Sequence, residues 1–420
     1  MQQNEKFVAE TTTSKISGSS DGGEHGTVLN ITAPTKQTYT LKMDLRLIPI
    51  LGCTYTILFL DRTNIANARI EGMEKSLKMP SNGYNTALWI FYIPFVLIEI
   101  PSNMIMSMPR VRPNIFLGCN MLILGIVSTC QGLTKSYGGI LACRFLMGIF
   151  EATLPAGAAL LVAEYYTRKQ ASLRFAMFFT FGVLGPCISG LLAYGIRNMH
   201  GIQGKEGWRW IFILEGIFTI CVSFLVFILV PDFPERTKIL TASEKEHLLA
   251  TLRADKGDQE INVKGTNWLK TGWRFPFILL GILCVLVGWI INIVYSEGHG
   301  VTAAVRYFSL FCMSAGTFIQ MSLTTSWLVN NLRGRASVAV GTAIILGIGN
   351  CANFVASNVF IKKEAPRYPT AFRTGLGLTV AGAVFCLAYV GILWQHNQKL
   401  AKKRSETGAV DDQKEYRYQY

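Results

Sequence analysis

Arg144 and Glu151 lie seven residues apart within 141–163, an apolar run long enough to cross a bilayer. Seven residues is about two helical turns, so both side chains project from one helix face, with Gly148 between them. A charged side chain at the bilayer centre costs about 2.5–3.5 kcal/mol on insertion scales. Two uses could offset that cost. One is the handling of an anion and a proton inside a helix bundle. The other is an Arg144–Glu151 ion pair that only locks neighbouring helices together.

Other polar groups share the oily segments. Glu99 precedes Pro101 near the end of the second apolar run, where capping or pairing with a loop arginine is expected. Glu215 follows Arg209 by six residues in the sixth run and reads equally as a gate or as a structural charge. Asp61 and Arg62 close the first run and are expected to snorkel to the outer interface, with an interface salt bridge or the drawing-in of anions as the work of Arg62. Asn64 and Asn67 follow, as hydrogen-bond donors to a solute or as loop caps. Trp89, Phe91 and Tyr92 either line a cavity for a heterocyclic anion or form an interfacial aromatic belt, and Phe178 and Phe179 carry the same two readings.

The elements that must position these groups are membrane helices. The chain has 420 residues, of which 50% are hydrophobic and 16% charged, with a mean hydropathy of +0.32; soluble domains carry about 25% charged residues. An all-α polytopic membrane protein follows. Runs of about 20 apolar residues fall near 45–61, 85–106, 114–133, 138–163, 173–196, 209–230, 275–295, 302–327, 336–360 and 371–394, about ten spans. Residues 1–42 are expected to form a disordered cytosolic tail, 43–230 a six-helix half, 231–272 a cytoplasmic central loop, 273–396 a four-helix half and 397–420 a second cytosolic tail. Within the central loop, Ser243-Glu-Lys-Glu246 reads as a capping box opening a surface helix. Arg110, Arg112, Arg168, Lys169, Arg174, Arg333, Arg335 and the basic tail favour both termini inside; Arg69, Lys75, Lys78, Lys362, Lys363, Arg367 and Arg373 on the opposite side make the asymmetry modest.

Several function classes are excluded. The formal charge of +14 is scattered through loops without an aromatic and basic surface, so nucleic acid is not an expected partner. The five histidines are dispersed over tails and loops, and all ten cysteines fall within spans, where they act as small apolar residues. No metal or cofactor is expected from such spacing, and an enzyme is disfavoured. With no phosphate-binding glycine loop, an ATP-driven pump is disfavoured too.

Taken together, Leu60-Asp-Arg-Thr-Asn-Ile-Ala-Asn67, Phe95-Val-Leu-Ile-Glu-Ile-Pro-Ser-Asn103, Arg144-Phe-Leu-Met-Gly-Ile-Phe-Glu-Ala152, Glu164-Tyr-Tyr-Thr-Arg168 and Gly207-Trp-Arg-Trp-Ile-Phe-Ile-Leu-Glu-Gly216 resemble the major facilitator superfamily. The similarity is to its fungal branch of anion:cation symporters, which includes permeases for allantoate, nicotinate, pantothenate and biotin. That resemblance implies a helix bundle of twelve spans in two halves, of which this chain lacks the counterparts of the seventh and eighth. It further implies secondary active transport of a small carboxylate, coupled to protons, by alternating access. In related carriers the fourth-span arginine binds the substrate carboxylate and an acid one or two turns on couples protons. Arg144 thereby becomes the anion anchor and Glu151 the proton-coupling group, with Asn64, Trp89 and Tyr92 as further contacts and Asp61, Arg62, Glu99 and Glu215 as gating or structural charges. A monomer in the plasma membrane is the corresponding expectation, with substrate, protons and lipid as its partners. The alternative is a truncated, transport-dead paralogue that binds a solute as a sensor.

Overall fold

A computed structural model describes residues 36–407 apart from 198, 258–274, 299, 333, 362 and 363. The expected tail over 1–35, the loop over 258–272, the tail over 408–420 and the loop charges Arg333, Lys362 and Lys363 lie outside the described residues.

Among the described residues the secondary structure is helical, with no strand. The chain runs through α1 (Lys36–Ile70), the one-turn α2 (Met73–Ser76), α3 (Gly83–Ser107), α4 (Pro113–Leu133), α5 (Tyr137–Glu151), α6 (Thr153–Tyr165), α7 (Arg168–Arg197), α8 (Gly207–Leu229), α9 (Ala242–Gly257), α10 (Phe275–Ser296), α11 (Ala303–Asn331), α12 (Arg335–Val359) and α13 (Pro369–Thr407). Nine of the described stretches are long and apolar enough to cross a membrane, α5 and α6 together counting as one. The tenth expected span is α11, 29 residues long and so about 43 Å at 1.5 Å per residue. Arg306, Gln320 and the hydroxyls of Ser322, Thr324, Thr325 and Ser326 interrupt its apolar run.

Local chemistry sets the boundaries. Pro113 opens α4 at a position where a missing N–H is harmless, and Ser136 caps α5 by accepting from the Gly139 N–H at 3.3 Å. The expected single span over 138–163 is broken at Ala152. Pro155 has no N–H to return to the carbonyl of Glu151, so the chain bends where α5 hands over to α6. α9 starts earlier than expected. Its capping box is formed by Thr241 and Glu244: the Thr241 N–H donates to Glu244 Oε2 at 2.8 Å and the Glu244 N–H to Thr241 Oγ1 at 3.3 Å.

The largest departure from expectation is α1. It is one 35-residue helix that starts inside the stretch expected to be a tail and continues past residue 61. The segment after Leu60 contains no proline or glycine to stop it, and Thr63 ties its hydroxyl back to the Phe59 carbonyl. The stop comes at Gly72, whose φ of 91° is the left-handed conformation that glycine takes most readily. Likewise α13 runs through the expected C-terminal tail to Thr407.

Helices in the first half pack backbone to backbone. A Cβ added at Gly216 of α8 would clash with Thr129 Oγ1 and lie 2.5 Å from the Thr129 nitrogen, and one at Gly125 of α4 would lie 2.8 Å from the Ile220 nitrogen. Small residues in this way let α4 and α8 approach until their main chains touch. Gly182 and Gly185 do the same for α7 against Tyr55, Thr56 and Phe59 of α1, whereas Gly190 and Gly195 of α7 face open space. The two halves meet along seams where α3 and α6 pack on α12 and where α7 packs on α11. The second half holds together through α10, which packs on α11 and α13.

Candidate functional site

Because α1 continues through residues 61–67, the side chains expected at the outer interface are brought inside the bundle. Asp61 is 1% exposed, and Ser128 of α4 donates to its Oδ1 at 3.2 Å. The snorkelling expectation is therefore overturned for both charges: Arg62, one residue further around the helix, also turns inward. Its Nε donates to Glu151 Oε1 of α5 at 2.6 Å. The Arg62 guanidinium lies 5.6 Å from the Phe59 ring, 5.6 Å from Phe91 and 5.0 Å from Phe95, an aromatic surround that suits a planar cation. Its Nη1 reaches Asn350 Oδ1 of α12 at 3.4 Å. One arginine thus touches an acid of the first half and an amide of the second.

Arg144 and Glu151 do share a face of α5, and both are buried. The structure departs from expectation in the pairing, since Glu151 forms its ion pair with Arg62. Arg144 lies deeper in the first half, with Asp61, Glu151, Tyr84 and Glu215 within electrostatic reach and its guanidinium 5.8 Å from the Phe212 ring. Glu215 is 1% exposed, and neither of its carboxyl oxygens accepts a hydrogen bond among the described residues. Arg209, six residues before Glu215, is engaged elsewhere, donating to the carbonyls of Gly132 and Thr134.

Two further expectations change. Glu99 is fully buried, and its carboxyl neither caps a helix nor meets a loop arginine. It faces α12, where a Cβ at Gly347 would stand 3.2 Å from Glu99 Oε2. Asn64 and Asn67 are helical rather than loop residues. Asn64 Oδ1 accepts from Ser189 Oγ at 3.0 Å and Asn67 Nδ2 donates to the same hydroxyl at 2.6 Å, so both fasten α1 to α7. Phe178 and Phe179 are core residues packed on Tyr55 rather than a belt.

Tyr92 lies on the seam, its ring 4.9 Å from Phe91 and 6.1 Å from Phe354 of α12. Trp89 is half-buried one turn earlier on α3. Among the residues that sequence reasoning does not single out, Asn350 and Ser128 matter most. Each is a polar residue within an otherwise apolar run, which is the signal that could have found them.

At the end where α1 and α12 begin, charges form ties. Arg335 donates to Glu164 Oε2 of α6 at 2.9 Å and to Glu235 Oε1 beyond α8 at 2.7 Å, with its guanidinium 4.1 Å from the Phe233 ring. Arg174 of α7 grips Asp44 of α1 bidentately at 3.0 and 2.6 Å. The first tie joins the two halves; the second lies within one.

Comparison with known proteins places this arrangement. The chain is 25% identical to the major facilitator-type transporter hxnP of Emericella nidulans, with 81% of this chain and 82% of that protein covered. It is 25% identical to the high-affinity nicotinic acid transporter of Saccharomyces cerevisiae, with 84% and 76% covered. Among solved structures, the proton:xylose symporter XylE superposes with a TM-score of 0.56 at 13% identity, covering 83% of this chain and 96% of that one. The human organic anion transporter MFSD10 gives 0.52 at 13% identity, covering 83% and 98%. Both structural likenesses speak to the fold alone. The sequence profile of the Major Facilitator Superfamily matches residues 51–396, and with that the chain belongs to this family of multi-pass membrane transporters.

Proposed function

We propose that the protein is a secondary transporter of a small organic carboxylate, driven by protons and working by alternating access. The observation that carries this reading is the Arg62–Glu151 pair at 2.6 Å, held among three aromatic rings with Asn350 of the opposite half on its other side. A substrate carboxylate that takes Arg62 displaces Glu151. An acid left charged and unpaired in that apolar surround is costly, and a proton from the open side bound at its Oε1 removes the cost. One guanidinium shared by two carboxylates thereby couples anion to proton.

Arg144 backs this site as a second cation, with Asp61 and Glu215 within electrostatic reach. Tyr92 and Trp89 present flat faces to a ring-bearing anion across from Phe354, and the name of the yeast relative suggests nicotinate as a first test solute. Asn64 acts indirectly, by holding α1 against α7. Cytoplasmic termini fit the arginines at the Arg174 and Arg335 end; a monomer in the plasma membrane belongs to the same proposal.

The test is uptake of labelled nicotinate by proteoliposomes at acid and neutral outside pH. Faster uptake at acid pH, lost in Arg62→Ala and uncoupled from the pH gradient in Glu151→Gln, is the expected result. Full uptake by Arg62→Ala would overturn the assignment.

A second reading has its own support. Among the described residues the second half holds four long helices where the family has six, and the alignment with the transporter cnsO of Penicillium expansum runs over 454 positions, more than the 420 residues of this chain. The relative thus carries residues without counterparts here. A binding protein incapable of flux would be stabilised thermally by the solute while proteoliposomes showed no uptake.

A further inference from the structure

Among the described residues, Glu99 is the intramembrane acid whose carboxyl lies in the seam between the halves rather than within the first half. It is 0% exposed, and neither oxygen accepts a hydrogen bond among the described residues. Its Oε2 rests so close to α12 that a Cβ at Gly347 would come within 3.2 Å of it. Glycine at that position leaves room for a carboxyl that any larger side chain would press upon. Ile100 and Leu346, the chain neighbours of Glu99 and Gly347, belong to an apolar cluster with Ala156, Met321, Ala343 and Ile345. One turn along α3, Asn103 Nδ2 donates to the Ala339 carbonyl of α12 at 3.4 Å, so a side-chain amide ties the seam to the α12 main chain there.

Of the charged and titratable groups nearby, Arg62 of α1 lies within electrostatic reach of Glu99 but is held by Glu151, and the Tyr55 hydroxyl points to Met321 Sδ at 3.8 Å. On α5, Glu151 is bound to Arg62, and Arg144 has Asp61 and Glu215 within electrostatic reach. On α6, Glu164 meets Arg335 and the Tyr165 hydroxyl meets the Asp232 carbonyl. On α12, Arg335 stands at the far end of the helix. No described group offers Glu99 a hydrogen bond, and a carboxylate without a partner in such surroundings is strongly disfavoured, whereas a neutral acid is tolerated. When α3 and α12 part, water reaches the same carboxyl and the penalty disappears.

We propose that Glu99 is a proton-binding site of the α3–α12 seam, taking a proton from the aqueous cleft as the halves close and returning it as they open. The inference rests on the alternating-access reading above but is independent of what the protein carries. By linkage, a group that binds its proton more tightly in the closed state makes acid favour closure. Glu99 is then a second protonation site, distinct from Glu151, which sets how long the seam stays shut rather than which solute is bound.

Hydrogen–deuterium exchange of the full chain in phosphatidylcholine vesicles without added solute tests this. Rates in peptides from residues 99–107 and 335–347 are corrected for the intrinsic effect of pH. In the wild type, exchange should slow as the medium is acidified from neutral, by up to about tenfold per pH unit for one linked proton. Glu99→Gln, which mimics the neutral acid, should exchange slowly at every pH, and Glu99→Asp should keep the pH response. A wild-type seam whose exchange is the same at both pH values overturns the proposal without any variant. So does a Glu99→Gln protein that follows the wild-type curve. Either result leaves the Arg62–Glu151 reading standing, since that reading is decided by nicotinate uptake.

Discussion

Between α1 and α8 the buried polar residues include Asp61, Glu99, Arg144, Glu151 and Glu215, whereas from α10 to α13 the described ones are Asn292, Ser296, Ser309, Thr325, Ser326 and Thr342. The first half encloses charge; the second encloses amides and hydroxyls. Much of the difference follows from helix number. Six helices surround an interior completely, so α5 with α6 is 78% buried over its most apolar window, while the corresponding window of α13 is 6% buried. A charge survives in oil only where neighbours replace water on all sides. Two spans fewer leave the second half no such enclosure. The same contrast bears on transport: the second half meets the charged site through uncharged groups, Asn350 on Arg62 and the Gly347 backbone on Glu99.

The comparison is sharpened most by breaking one ion pair in each half. Arg62→Ala leaves Glu151 buried and unpaired and is expected to destabilise the protein by about 3–5 kcal/mol. In Arg373→Ala the lost partner is Glu297 on an exposed surface, with side chains 64% and 45% exposed, and the expected change is at most about 1 kcal/mol. Unfolding midpoints in detergent give both values, and equal costs would erase the distinction between the halves.

Glycine substitutions come next. Gly216→Ala drives a methyl into Thr129 and should cost about 1–3 kcal/mol through overpacking. Gly382→Ala in α13 has nothing within 4 Å of the added carbon and should be neutral or slightly stabilising, since alanine is the better helix former by about 1 kcal/mol. Thermal midpoints of the two variants check this. Equal loss at both sites would mean that α13 is packed against something else.

The smallest effect concerns α9, outside the membrane. The Thr241 N–H above all, with help from the Lys42 ammonium and the Thr241 hydroxyl and against the opposing effect of burial, holds the Glu244 carboxyl below its usual value of 4.5. An acid with a lowered folded value stabilises at pH above the unfolded value and loses that contribution as pH falls through the lowered one. Exchange protection of α9 should therefore be full at neutral pH and decline below pH 4.5. Glu244→Gln should show the cap weakened by about 1 kcal/mol and without that decline. If the parent and the variant respond alike to acid, the carboxyl is not what secures the cap.

Much of this architecture is legible in the amino-acid sequence. The spans and the presence of Arg144 and Glu151 on one face follow from local pattern, because apolar run length and helical period are properties of neighbours in the chain. The end of α1 is not legible there. Asp61 and Arg62 look like an interface flank, and only burial by α4 and α5 makes them interior. Nor is the fate of Glu99, whose nearest cue, Pro101, points to a helix end.

Composition and local pattern suffice to show that charges lie in oil, how many helices carry them and which family they resemble. Which acid meets which guanidinium is a property of the packed bundle. Arg62 and Glu151 are 89 residues apart in the chain, and their contact depends on where α7 and α8 place α1 and where α3 and α4 place α5. Helices form from contacts a few residues apart, but partners inside a bundle are chosen by the packing of the whole.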